Sequence, residues 1–178
     1  MNARRMLCLL FALALPLAAT AKDKPLEKPP EGKAFVYIGK MNAFVGAAAP
    51  FHFFADEQYI ARVKGKKYVR LAVDPGDHLF WVAMQSVRNF VKAKVEAGHS
   101  YALYAKLGQG AELLPITRES RDWREFDGMI HGEKPYVYDP SEADRWRSRQ
   151  PDYISKALAE WKAAGEPALK LLPDEFID

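Results

Sequence analysis

Side chains able to hold a metal, attack a carbonyl or move a proton are few in this sequence and far apart. Its four histidines, His52, His78, His99 and His131, include no pair at the i, i+4 spacing that places two imidazoles on one helix face. His52 and His78 could share a zinc only if strands brought them together. His78 opens a strand, where a ring nitrogen could bond a turn carbonyl. Ser86, Ser100 and Ser120 lie outside any Gly-x-Ser-x-Gly elbow. Gly108-Gln109-Gly110 lacks the lysine and helix start of a phosphate-cradling loop. The 23 carboxylates present no pair that spacing singles out. The expectation is a protein without catalytic residues, cofactor or metal.

The aromatic side chains of the last third are more informative. Trp123, Tyr136, Tyr138, Trp146 and Trp161 all follow the strand-rich region. Such rings bury large areas while satisfying a polar tip, so they can fasten a tail to a sheet. Left exposed, Trp123, Tyr136, Tyr138 and Trp146 are candidates for stacking on a glycan or holding a partner protein. Arg145-Trp146-Arg147-Ser148-Arg149 could offer three guanidiniums to an acidic partner, or form an ordinary solvated helix face.

The elements that would position these groups follow from patterning. Residues 1–21 read as a signal peptide: a basic start, the apolar run Met6–Ala19, and Ala19-Thr20-Ala21 as a small-x-small cleavage site. A run of that length falls short of the roughly 20 residues of a membrane-spanning helix. The expectation is therefore a periplasmic or secreted protein with no stable span after cleavage. Cys8, the single cysteine, would leave with the leader, and thiol chemistry and disulfides with it. Residues 22–33, rich in proline and charge, read as a flexible tether.

Residues 34–117 carry about seven short strands at spacings of roughly 8 to 12 residues. Pro50–Ala55 and Tyr59–Val63 flank Asp56-Glu57-Gln58 as a hairpin, and Asp74-Pro75-Gly76-Asp77 is a strong turn. Val91, Ala93 and Val95 alternate with Lys92 and Lys94, which marks a strand with one wet face. The fold class is mainly β: an antiparallel sandwich with a helical and extended C-terminal extension over residues 118–178. In that extension Arg118–Ile130 suggests a short helix, and Ser141 is the expected N-cap of a second. Pro151 starts a third, with Ile154, Ala157, Leu158 and Trp161 as its apolar face and Gly165 as its stop.

The turns of the strand region resemble a known family. Ala34-Phe35-Val36-Tyr37-Ile38 is similar to its opening strand, and Phe54–Ala61 to its Asp-Gly hairpin. Val73-Asp74-Pro75-Gly76-Asp77-His78 resembles its proline-glycine-histidine turn, and Ala97-Gly98-His99-Ser100-Tyr101 its glycine-lysine-tyrosine turn. The family is the bacterial domain-of-unknown-function 2846 group, itself similar to the small PEGA-type β-sandwiches. The resemblance covers about residues 34–117 and departs at Glu57-Gln58, where the family favours glycine. It implies a small secreted sandwich and carries over no established activity.

Charge narrows the partners. Removing Arg4 and Arg5 from the 26 basic residues leaves 24 against 23 acidic ones, too little surplus for a nucleic-acid binder. The expected function is a non-catalytic cell-envelope protein, a protein-binding or accessory module. The alternative is a glycan- or peptidoglycan-binding module using the C-terminal aromatics. The corresponding partners are an envelope protein or a glycan.

Overall fold

The computed structural model describes residues 25–41, 49–108 and 110–178. The leader and the first residues of the tether lie outside them. Two sheets pack face to face. Sheet A has the order β4 (Lys67–Val73), β1 (Ala34–Lys40), β7 (Ser100–Leu107), β8 (Ala111–Pro115). Sheet B runs β3 (Gln58–Val63), β2 (Phe51–Ala55), β5 (Gly76–Met84), β6 (Val87–Val95), β9 (Leu169–Leu171).

Alternation along each strand divides the apolar residues between three clusters. Ala34, Val36 and Ile38 of β1 and Phe80 and Val82 of β5 face each other across the sandwich interior. Phe35 and Tyr37 point the other way, into a cluster with Phe126, Met129 and Ile130 of α1 (Trp123–Gly132). Trp81 and Phe90 point out of sheet B, under α2 (Pro140–Arg149) and α3 (Tyr153–Ala163). The result is four layers, helix, sheet, sheet and helix pair. Burial on both faces is why β1 reads as a continuous apolar run rather than an alternating one.

The close approach of α1 requires a missing side chain. A Cβ on Gly39 would lie 2.2 Å from Met129 Cε and 2.7 Å from Phe126 Cε2. At the hairpin between β2 and β3, Asp56 takes a positive φ of 52°. Aspartate tolerates the left-handed region better than most residues, so the turn closes without the glycine that the family pattern favours.

The sandwich differs from the patterned expectation in strand direction. β1 pairs with β7, and β6 with β9, in parallel, while the other neighbours are antiparallel. Periodicity reports which face a residue occupies and carries no directional signal. Parallel neighbours need long connections, and here one is the intervening chain from β2 to β6 and the other runs from β7 through β8 and the three helices. Among the described residues the count is nine strands: residues 34–117 hold eight, and the short β9 returns from the helical tail.

Helix starts moved as well. Asp139, not Ser141, caps α2: its carboxylate accepts the Ser141 amide at 2.9 Å, with Pro140 preset at the first helical position. Pro151 and Asp152 form the turn before α3 rather than its first residues. The expected apolar face of α3 is the one that packs, with Ala157 and Trp161 buried and Ile154 and Leu158 half-buried. The described part of the proline-rich segment ends in a turn at Glu31-Gly32, closed by the Lys33 amide donating to the Pro30 carbonyl; Leu26 packs in the α1 cluster and Glu27 pairs with Arg70.

Candidate functional site

His78 is held at both ring nitrogens. Nδ1 lies 2.9 Å from an Asp56 carboxylate oxygen and Nε2 lies 2.8 Å from the Asp74 carbonyl, the turn contact expected for a strand-opening histidine. Two acceptors facing one imidazole favour its doubly protonated form. The hydrogen bond to Asp56 raises the His78 pKa against the opposing effect of burial, and the Asp74 carbonyl adds to it. On Asp56, burial pushes the carboxyl up, but the bonds from His78 and the Leu79 amide outweigh it and the net shift is down. With both nitrogens engaged, His78 ties the β2–β3 hairpin to the β4–β5 turn and has no lone pair for general-base work.

The pair sets a pH dependence of stability. The His78 contribution is fully present below its ordinary value of 6.5 and is lost as pH rises through the raised folded value. The Asp56 contribution is present above its ordinary 3.8 and is lost as pH falls through the lowered folded value. His78→Ala should therefore cost most between pH 4 and 6.5, by about 1 kcal/mol for a half-exposed charged hydrogen bond, and least near pH 9. Urea unfolding at pH 5.5 and 9 measures this; an equal loss at both would show that the imidazolium plays no part.

His52 lies at the other end of the ladder. It faces Ala83 of β5, five residues beyond His78, which is about 16 Å along the strand. Zinc ligands lie about 2 Å from the metal, so these two cannot share one. Among the described residues no group of three or more His, Cys, Asp or Glu is arranged to hold a metal ion.

The four aromatic candidates are placed on different parts of the molecule. Trp123 is half-buried on the sheet A side, 6.1 Å from the Phe126 ring with Arg118 over its face. Tyr136 packs at the edge of the sandwich interior, bridges Val69 through its backbone and donates its hydroxyl to Glu142. Burial and the Glu142 carboxylate push its phenol up to about 12. Tyr138 is exposed. Trp146 stacks on Tyr59 of β3, with centroids 4.5 Å apart and planes 9° from parallel.

Around Trp146 the chain gathers charge that the sequence does not place together. Arg145 and Arg149 stand one turn apart on α2, and Arg62 of β3 joins them, facing His52 across the ladder. With Tyr59, Trp146 and Glu142 they line a cavity of about 220 Å³. Arg145 is 3.9 Å from Asp139, and Arg147 is taken up by Asp144 at 2.5 Å. Among the described residues Arg62 and Arg149 form no ion pair. Glu142, the one carboxylate lining this cavity, already accepts the Tyr136 hydroxyl.

On the other side of the same indole lies a second cavity of about 280 Å³, lined by Phe54, Tyr153, His52, Gln85 and Gln150. Burial lowers the His52 pKa and Arg62 lowers it further, against Glu142. Its Nδ1 is buried without a hydrogen-bond partner, which suits a neutral ring protonated on Nε2. Trp146 thus divides a guanidinium-lined cavity from an aromatic one. The sequence does not bring Arg62 to this site, because β3 and α2 are far apart in the chain; its polar position on an alternating strand is the one local hint.

No protein-family model matches this chain, and no curated protein matches it at a significant level. No helix among the described residues is long and apolar enough to cross a membrane.

Proposed function

We propose that this chain is a non-catalytic cell-envelope binding module, secreted or periplasmic, which presents the Trp146 face to an acidic segment of a partner protein. The observation that carries the reading is the cluster of Arg62, Arg145 and Arg149 around one indole, two of them without an ion pair. Arginine and tryptophan dominate binding energy at interfaces because they offer area and directed hydrogen bonds at once. Carboxylates of the partner would meet the guanidiniums, and an apolar side chain would enter the aromatic cavity beyond Trp146. The turn motifs of residues 34–117 support placing the sandwich with the domain-of-unknown-function 2846 proteins, and residues 1–21 support export. Of the four aromatic candidates, this site uses Trp146 alone.

A photo-crosslinking residue at Ser148 tests it in cells. The expected result is a discrete adduct to an envelope protein with an acidic surface segment, carried by a mature chain that begins at Lys22. Arg62→Glu with Arg149→Glu should reduce the adduct at least tenfold and leave the melting temperature unchanged, since both side chains are exposed. An adduct insensitive to the charge reversal would sink the reading, and one to peptidoglycan would replace it with the glycan alternative.

A further inference from the structure

Beyond the last turn of α3, part of the outer face of sheet B is left without a helix over it, and a groove of about 530 Å³ opens there. The register places Leu79 opposite Lys92, Asp77 opposite Lys94, and Lys92 opposite Lys170, so these five side chains share the groove floor. Trp161 forms a wall, fixed by its indole N–H donating to the Pro167 carbonyl at 3.0 Å. Leu172, an exposed leucine, forms another.

The charges within the groove do not all have the same freedom. Lys92 is bound to Glu166 at 2.5 Å and lies over the Trp161 ring. Asp56 is taken up by His78 and the Leu79 amide. What remains is Lys94 and Lys170 against Asp77, none of the three forming an ion pair among the described residues. Lys94 and Lys170 are diagonal neighbours on adjacent strands, about 8 Å apart at Cα, so a single anionic group can reach both. The apolar part of the lining includes Leu79, Trp161 and Leu172, the last of them exposed. A volume of this size falls in the range of small-molecule sites, about 300–1,000 Å³.

We infer that this groove binds a single-chain anionic amphiphile, its head between Lys94 and Lys170 and its chain along Leu79, Trp161 and Leu172. A compact polar anion would leave the apolar wall uncovered, and an uncharged chain would leave two ammoniums unused. The site lies away from the Trp146 face and is independent of the partner-binding role.

The test titrates nitrogen-15-labelled protein with decyl phosphate below its micelle concentration, beside decyltrimethylammonium with the same chain and the opposite head. The expected result is saturable binding of decyl phosphate, at least tenfold tighter than of the cation, with shifts centred on the Trp161 indole and the Lys94 and Lys170 amides. Lys94→Glu with Lys170→Glu should abolish that preference; both residues are exposed, so the melting temperature should hold. Equal affinity for the two heads would overturn the inference. So would shifts centred elsewhere, or adsorption to phosphatidylglycerol vesicles without binding of the monomeric amphiphile.

Discussion

Replacing Trp81 with alanine should destabilise the protein by about 3–5 kcal/mol, the usual cost of emptying a buried aromatic site. The ring is fully buried and stacked on Phe54 at 3.7 Å between centroids, with Phe90 at 5.4 Å on the sheet B side. Its indole N–H also donates to the Asp56 carbonyl at 3.1 Å, so truncation leaves that oxygen short of a donor. Against a total stability of about 5–15 kcal/mol for a domain, such a loss removes a large share. Guanidinium unfolding followed by far-ultraviolet circular dichroism gives the value. A loss below 1 kcal/mol would mean that α2 and α3 do not seal this face. Trp81→Phe, which keeps a ring against Phe54, should recover more than half.

The second large effect lies on the opposite outer face. Phe126→Ala should also cost about 3–5 kcal/mol, because Phe126 is fully buried between α1 and the Phe35, Tyr37 and Tyr104 side of sheet A. A small value would mark α1 as an appendage. The two substitutions belong to clusters separated by the whole sandwich interior and share no contact partner. Their costs should therefore add to within about 0.5 kcal/mol in the double variant. Strong coupling would show that unfolding one helical layer releases the other.

These sites illustrate what the sequence displays and what it hides. Turns were legible because their chemistry is local: Asp74-Pro75-Gly76 and Asp56-Glu57 bend the chain where their residue types require. The α3 face was legible because Ile154, Ala157, Leu158 and Trp161 repeat at helical spacing. β9 was not, since three residues give no period and Leu169-Lys170-Leu171 becomes a strand only by lying beside Val91–Ala93. The parallel pairing of β1 with β7 was equally hidden, as nothing in either segment encodes the direction of a neighbour more than sixty residues away.

The functional groups divide the same way. Arg145 and Arg149 could be read as one helix face, whereas Arg62 reaches them through strand register that only the folded chain establishes. Lys92 and Lys94 were visible as the wet side of a strand. Their relation to Lys170 and Trp161 depends on β9 and on where α3 stops. Tyr136 and Trp123 were singled out for their rings, and the structure occupies both with packing: one donates to Glu142, the other lies against Phe126.

The late strand has a consequence for how this protein is made. β9 completes sheet B beside β6, Ile177 is fully buried against sheet A, and the Ser100 amide donates to the Asp178 side chain at 2.8 Å. A chain synthesised from its N-terminus therefore has all four strands of sheet A by residue 115, while sheet B lacks its edge strand until residues 169–171 have emerged from the ribosome. Contacts that span so much of the sequence form slowly, because long loops must close first. The edge of sheet B beside β6 and the Ile177 contact on sheet A are therefore the last parts of this fold to close, long after the strands they cover have been made.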